Sequence, residues 1–344
     1  MGQVSKRKIK TVKQRLSKCR ILNPTTIKQS QAAFGLDVLT GLMKKNKCID
    51  SKYLYDSHGS KLYSQITRLP EYYLTKCEAE IIRTYRKQLA KMFNKNSFNL
   101  IELGPGEAKK SELLIKQLIN DNCNFQYIPI DISADYIEKI VVKYEEKYPE
   151  ISTLGLVADY FSGLNWVREN LKHKNIILFL GSTIGNYQSK ELYQFLYQLW
   201  NQLQNGDLLF IGFDLRKDIE LLINAYNDSK GITAEFNMNI LTRINAELDG
   251  HFNKNKFAYH CVYNVRLGAI ETFLVSKEPQ IVAIDAIKKT FEFSAWEAIQ
   301  TEYSHKFLLT DIEKIARKTG FAIKNNFLNE QGYFLNSLWM VMKH

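Results

Sequence analysis

Cysteine is scarce in this chain of 344 residues, and the five present (Cys19, Cys48, Cys77, Cys123, Cys261) include no Cys-x-x-Cys pair. An odd, dispersed set argues against both a disulfide framework and a structural zinc, and it suits a reducing compartment, so a cytoplasmic location is expected. The six histidines are equally scattered, with no His-Glu-x-x-His and no i,i+4 pair, and no metal is expected. No apolar run reaches the roughly 18 residues a membrane span needs, and the N-terminus lacks an h-region, which speaks against a span and a secretory signal. Lys6 stands where a myristoylation motif beginning Met1-Gly2 requires Ser or Thr. No Gly-Lys-Ser/Thr occurs, which removes a P-loop, and no internal repeat or low-complexity linker divides the chain.

Acidic residues are missing from the first 36 positions, which hold nine lysines and arginines, so most of the net charge of +11 sits in one arm. The remainder is nearly neutral. Such an arm reads as a solvated extension, a nucleic-acid arm or an anionic-membrane arm. With a neutral body behind it, the expectation is a flexible basic tail over residues 1–30, a monomer, and no nucleic-acid partner.

What is present begins at Asn99-Leu100-Ile101-Glu102-Leu103-Gly104-Pro105-Gly106, an apolar run that ends in a carboxylate and a Gly-x-Gly turn before a helical pattern. Glycines at such a turn let backbone N–H groups and a ligand approach where a Cβ would clash. Further apolar segments end in Asp131, in Asp159, and in Gly181-Ser182-Thr183-Ile184-Gly185-Asn186, so glycine, acid and amide collect on one edge of a sheet. A dinucleotide fingerprint would continue to a third glycine, but Lys109 occupies that position. Acids after successive strands, with no phosphate cradle, suit an adenosyl ligand that carries a cation: S-adenosylmethionine, its ribose on Asp131 and its ammonium near Glu102.

From about residue 97 strands alternate with amphipathic helices as in a doubly wound parallel α/β sheet, five strands long and closing on Asp214. A helix over 311–316 and an antiparallel pair at 321–327 and 333–342 complete it. This is the plan of a class I methyltransferase, Rossmann-like, with residues 217–306 as an insertion. The expected division is a substrate-binding lobe from residues 31–80 plus 217–306 and a cofactor domain from 81–216 plus 307–344. Within the insertion the sequence suggests a turn-rich stretch at 224–231 and strands at 257–266 and 268–275.

Longer strings carry a specific likeness. Lys52-Tyr53-Leu54-Tyr55-Asp56-Ser57-His58-Gly59-Ser60-Lys61-Leu62-Tyr63, Leu69-Pro70-Glu71-Tyr72-Tyr73, Leu180-Gly181-Ser182-Thr183-Ile184-Gly185-Asn186, Ala225-Tyr226-Asn227-Asp228 and Thr301-Glu302-Tyr303-Ser304-His305-Lys306 resemble, in order, the histidine-specific, S-adenosylmethionine-dependent methyltransferase family. That family includes the enzyme that trimethylates the α-amine of L-histidine to hercynine in ergothioneine biosynthesis. The strand ends and glycine turns place Glu102, Gly106 and Gly181 at the cofactor, and the resemblance implies further cofactor contacts at Gly104, Lys110, Asp131 and Asp159. It implies that Tyr55, Asn186 and Tyr226 grip the amine and carboxylate of the amino acid, and that Tyr72, Glu302 and Ser304 read an imidazole. The chain departs from the family at Leu74-Thr75-Lys76, at Pro105 and Glu107 in the glycine turn, and at Thr272, which stands where a methionine packs on the imidazole.

The implied reaction is N-methylation of a free amino acid. Transfer from a sulfonium needs no metal, only a neutral amine aimed along the S–CH3 bond at about 3–3.5 Å. L-Histidine is the expected substrate, because a buried carboxylate at Glu302 rewards a ring N–H with a bond of ~1.5–3 kcal/mol. Tryptophan also offers an N–H, and a tryptophan- or tyrosine-like amino acid is the alternative; behind it stand methylation of nucleic acid or protein and a non-catalytic binding role.

Overall fold

The computed structural model describes residues 18–22, 27–94 and 96–343; residues 1–17 and 23–26, most of the expected tail, lie outside them. In chain order come Cys19–Ile21 (β1), Ile27–Leu42 (α1), Ser57–Ile66 (α2), Tyr73–Phe93 (α3), Phe98–Leu103 (β2), Lys109–Asn120 (α4), Phe125–Asp131 (β3) and Ala134–Lys147 (α5). Ser152–Thr153 (β4), Gly155–Val157 (β5), Tyr160–Asn170 (α6), Lys174–Phe179 (β6), Ser189–Gln202 (α7) and Leu208–Asp214 (β7) continue the alternation. The inserted region holds Ile219–Asn224 (α8), Ile232–Leu248 (α9), Phe257–Asn264 (β8), Ala269–Ser276 (β9), Gln280–Ile284 (β10), Lys289–Phe293 (β11) and Ala298–His305 (β12). Leu309–Lys318 (α10), Phe321–Leu328 (β13) and Phe334–Val341 (β14) finish the chain.

The expected Rossmann-like α/β sheet is present, in the order β1-β5-β3-β2-β6-β7-β14-β13, with β4 also on β3. Pairing is parallel through β7 and antiparallel for β14 and β13. The order runs outward from β2 both ways, so the edge where β2 stops is a topological switch point, the place where open α/β sheets hold ligands. Helices cover both faces, and β2 is therefore buried along its whole length. Leu100, Tyr127, Ile176 and Phe210 enter one apolar cluster, while Ile101, Ile128, Ile177 and Ile211 enter another across the sheet. The first cluster continues without a break into Phe34, Leu241, Ile244, Leu274 and Ile299, so the inserted region packs on the sheet through a shared core.

Four details differ from the sequence reading. Cys19–Ile21, inside the range read as tail, pairs parallel with β5 and extends the sheet by an edge strand. The apolar segment that ends in Asp159, read as a single strand, is divided between β4 and β5. The boundary placed at residue 80 falls inside α3, which is continuous because its apolar face (Tyr73, Leu74, Cys77, Ile81, Ile82) is buried throughout. The turn-rich stretch leads into a 17-residue helix, α9. Its first N–H groups are met by Asp228, whose carboxylate accepts from Ile232 at 2.9 Å and Thr233 at 2.8 Å. The helix brings Thr233, Phe236, Asn237 and Ile240 under the antiparallel sheet β12-β9-β8.

Candidate active site

A cavity of about 840 Å³ opens along the switch-point edge, between the ends of β2, β3 and β6 and the region formed by α2, α3 and β12. On its sheet side lie Glu102, Gly104, Gly106, Lys110, Asp131, Asp159 and Gly181, every residue expected to touch the cofactor. On the opposite side lie Tyr55, Tyr72, Asn186 and Glu302. Tyr226, Ser304 and Thr272 do not line it.

The sheet side is built from backbone turns and buried carboxylates. Gly104 has φ +65°, and a Cβ there would stand 2.7 Å from the Tyr160 hydroxyl, so the chain turns away from β2 where only glycine fits. Glu102 is buried beneath this turn and accepts a 2.5 Å hydrogen bond from Tyr127. Burial pushes its carboxyl up to about 7, with Lys110 and the Tyr127 hydroxyl opposing. At the end of β3, Asp131 accepts the Ser133 N–H at 2.9 Å on one oxygen, and burial raises its carboxyl above the usual value. Asp159 is committed on one oxygen to capping α6, accepting from Phe161 and Ser162 at 3.0 Å each.

Lys110 is held from behind. Its ammonium pairs at 2.5 Å with Glu78 of α3, which also accepts the Gly181 N–H at 2.8 Å and the Asn336 amide at 3.0 Å. Burial opposes the charge on Lys110, yet Glu78 keeps its pKa above the usual lysine value. Glu78 is the largest omission of the sequence reading. It falls at a position that the α3 periodicity assigns to the buried face, between Cys77 and Ile81, and a carboxylate there signals a partner.

The opposite wall is aromatic. The rings of Tyr55 and Tyr63 meet edge to face at 5.3 Å, and Tyr63 meets Tyr72 at 6.4 Å. Tyr63 also lines the cavity; it stands in a string quoted from the sequence but had been given no role. Burial raises the phenols of Tyr55 and Tyr72 well above the usual tyrosine value. Asn186 closes a short 3-10 turn over Thr183–Asn186 after β6. Glu302 faces the cavity with no hydrogen-bond partner for its carboxylate among the described residues, and burial pushes it up to about 7 against the pull of Lys306.

Behind this wall the structure corrects two expectations. Thr272 does not border a ligand ring: it is fully buried, 3.0 Å from Asn237 and 3.0 Å from Thr301, because the bulge of β12 between Gln300 and Glu302 sets Thr301 in front of it. Ser304 does not line the cavity either. Its hydroxyl is taken up by Tyr226 at 2.8 Å and Lys306 at 2.9 Å, and Lys306 in turn pairs at 2.9 Å with Asp214 at the end of β7. Lys217 pairs with the same aspartate, and Tyr73 donates to it at 2.7 Å. Despite burial, Lys306 and Lys217 hold the Asp214 carboxyl below its usual value.

Among the described residues no group of three or more His, Cys, Asp or Glu side chains is gathered as for a metal, and no helix is long and apolar enough to cross a membrane. The cavity does fit S-adenosylmethionine. It offers a turn that a Cβ would obstruct, a buried carboxylate for a cation, and an acid at a strand end for hydroxyls. Family comparison points the same way: a model of histidine-specific methyltransferases, SAM-dependent, matches residues 34–341. The histidine N-alpha-methyltransferase of Mycobacterium tuberculosis (strain CDC 1551 / Oshkosh) is 35% identical over 271 residues, covering 79% of this chain and 83% of that protein. The protein of the same name from Mycolicibacterium smegmatis (strain ATCC 700084 / mc(2)155) is 35% identical over 79% of this chain and 83% of its own length. An L-tryptophan methyltransferase from Psilocybe serbica is more distant, 24% identical over 86% of this chain and 90% of its own.

Proposed function

This chain belongs to the histidine-specific, S-adenosylmethionine-dependent methyltransferase family and is an N-methyltransferase of amino acids, and we propose that its substrate is L-histidine, taken to the Nα-trimethylated product as in ergothioneine biosynthesis. The observation that carries this reading is Glu302, a desolvated carboxylate at the cavity wall with no hydrogen-bond partner of its own among the described residues. A carboxylate poised at about 7 meets an imidazole, whose own value is about 6.5, as a near match for sharing a proton. The resemblance of the two mycobacterial histidine enzymes over most of the chain supports the same choice.

S-Adenosylmethionine supplies a methyl carbon activated by a sulfonium. Asp131 would take its ribose hydroxyls, Glu102 its ammonium, and Lys110 with the Gly181 turn its carboxylate end. The rest is done by the chain. Tyr55 stays protonated at neutral pH because burial raises its phenol, so it orients the α-amine as a hydrogen-bonding partner and does not act as a base. Asn186, which lines the cavity and has no side-chain hydrogen bond among the described residues, supplies a second contact to the amine. The apolar faces of Tyr55, Tyr63 and Tyr72 exclude water and favour the neutral amine, whose lone pair must attack. They also tolerate the cation that accumulates as methyl groups are added.

The test is a panel of free amino acids and their mono- and dimethylated forms, incubated with S-adenosylmethionine and read by mass spectrometry. Histidine gaining three methyl groups is the expected result. A chain that methylates tryptophan or tyrosine in preference to histidine overturns the histidine assignment while leaving the reaction class in place.

A further inference from the structure

Glu78 of α3 does not line the cavity and is closed off from solvent, yet both of its oxygens are in use. Oε2 accepts from the Lys110 ammonium at 2.5 Å and from the Gly181 N–H at 2.8 Å, and Oε1 accepts from the Asn336 amide at 3.0 Å. The sheet makes room for it, since a Cβ on Gly212 of β7 would stand 2.3 Å from Oε1. A carboxylate so far from water is tolerated only with partners, and here the partners come from three segments remote in the chain.

An ammonium carries three protons and accepts none. Lys110 spends one on Glu78, and its Nζ has no other hydrogen bond among the described residues. Lys110 lines the cavity, so the two protons left are available there. The ammonium also lies against the turn that follows β6, where a Cβ on Gly181 would stand 3.3 Å from Nζ. A second carboxylate draws on the same lysine. Glu102 and Lys110 each favour the charge of the other, but among the described residues only Glu78 stands within ion-pair distance of Lys110. Which carboxylate holds the lysine decides what the cavity offers: with Lys110 on Glu78, Glu102 is left for a cation of the ligand, and with Lys110 on Glu102 the two cancel.

We propose that Glu78 is a positioning residue for the cofactor: one of its oxygens binds the Lys110 ammonium and the Gly181 turn together, which directs the remaining Lys110 protons at the carboxylate of the methionine end and keeps Lys110 off Glu102, the partner of the cofactor's ammonium. This rests on the reading of Lys110 and Glu102 as the holders of that end. The place of the oxygen matters more than its charge, because a charged and a neutral donor converge on it. Position and charge make opposite demands on variants. Asn336 Oδ1 is buried with no hydrogen-bond partner, so with that amide turned over a glutamine at position 78 keeps an oxygen on Lys110 and Gly181 and donates to Asn336. Glu78→Gln thus removes the charge and keeps the contacts, whereas Glu78→Asp keeps the charge and withdraws the oxygens by one carbon.

S-Adenosylhomocysteine and 5′-methylthioadenosine share adenosine and thioether and differ in the amino-acid end, so the ratio of their calorimetric affinities measures the grip on that end. A wild-type ratio below threefold overturns the reading of the methionine end, and a Lys110→Met ratio within twofold of wild type overturns the part given to Lys110; both are measured before any Glu78 variant. Glu78→Asp is then expected to lower the ratio at least fivefold through S-adenosylhomocysteine alone, with 5′-methylthioadenosine unchanged within twofold, and Glu78→Gln to lower it less. A smaller loss in Glu78→Asp overturns the proposal. So does a loss in Glu78→Gln that equals or exceeds that of Glu78→Asp, which would make charge the cause, and so does a parallel loss of both ligands, which would make the role structural only. If Glu78→Asp gives no folded protein by circular dichroism, Asn336→Ala decides instead. It leaves every charge in place and releases one end of the carboxylate, so the ratio is expected to fall at least threefold, and a smaller fall overturns the proposal.

Discussion

At the scale of single residues, the site is a set of polar groups that the fold has stripped of water. Glu302 illustrates the consequence. Among the described residues its carboxylate has no hydrogen-bond donor, and Lys306 alone opposes the effect of burial until a ligand brings a donor. Glu302→Ala should thus lower the kcat/KM ratio of histidine to tryptophan by roughly ten- to hundredfold, the equivalent of a charge-assisted bond of ~1.5–3 kcal/mol. Kinetics with both amino acids check this, with affinity for S-adenosylhomocysteine as the control; an unchanged ratio removes Glu302 from the substrate. Thr272 leads to the opposite kind of expectation. From sequence, a methionine there ought to fill space beside a ring, but the hydroxyl is bonded to Asn237 and Thr301 in a place with no access to solvent. Thr272→Met is expected to lose both bonds and overpack the floor of the antiparallel sheet, at a cost of about 1–3 kcal/mol. Thermal unfolding would show a drop of a few degrees, and a tighter KM for histidine would contradict the placement.

At the scale of elements, the site is assembled from ends. β2, β3, β6 and β7 stop at one edge, and residues at or just past their ends, Glu102, Asp131, Leu180 onward and Asp214, carry the polar groups there. The inserted helices and strands bring the other half. Helix α9 is the hinge of this arrangement in sequence, because the segment before it carries Tyr226 and its own face supports β9 and β12. Its start depends on Asp228. Asp228→Ala leaves the N–H groups of Ile232 and Thr233 without that acceptor and should destabilise the chain by about 0.5–2 kcal/mol in denaturant unfolding. Asp228→Asn should recover most of the loss, since an amide oxygen also caps; equal damage from both would mean that the charge matters more than the bond.

At the scale of the whole molecule, buried ionisable groups set how stability varies with pH. Glu102 and Glu302 titrate near 7 in the folded chain against an ordinary value of 4.5, so between these limits the folded state holds protons that the unfolded chain has released. Folding stability therefore declines as pH rises from about 4.5 to about 7 on account of these two groups. His305 works in the other direction, since burial holds it down to about 4 and its contribution increases as pH rises toward 6.5. The comparison that isolates the carboxylates is with Glu102→Gln/Glu302→Gln. Melting temperatures of the wild-type chain should fall relative to this variant between pH 5 and 7.5. Saturating S-adenosylhomocysteine should reduce the difference, because its ammonium favours the charged form of Glu102. Parallel curves for the two chains would refute the titration of these groups.

Periodicity and strand-end residues were sufficient, within the sequence alone, to identify the Rossmann-like sheet and its cofactor edge, because local hydrophobic pattern and glycine turns report on what each short segment must do by itself; the family was legible only from the resemblance of longer strings. Glu102, Asp131 and Gly181 could be found for that reason, each lying at or just past the end of a strand, whereas Lys110, in the first turn of α4, was implied by the resemblance. Glu78, Tyr63, Lys306 and the true position of Thr272 could not, since their roles come from neighbours remote in the chain. Glu78 meets Gly181 and Asn336, Lys306 meets Asp214 and Tyr226, and a one-residue bulge in β12 decides that Thr301, and not Thr272, faces the cavity. Which hydroxyls are free, which carboxylates are desolvated, and which side chains stand in front are properties of packing between distant segments, and only the tertiary structure brings those segments together.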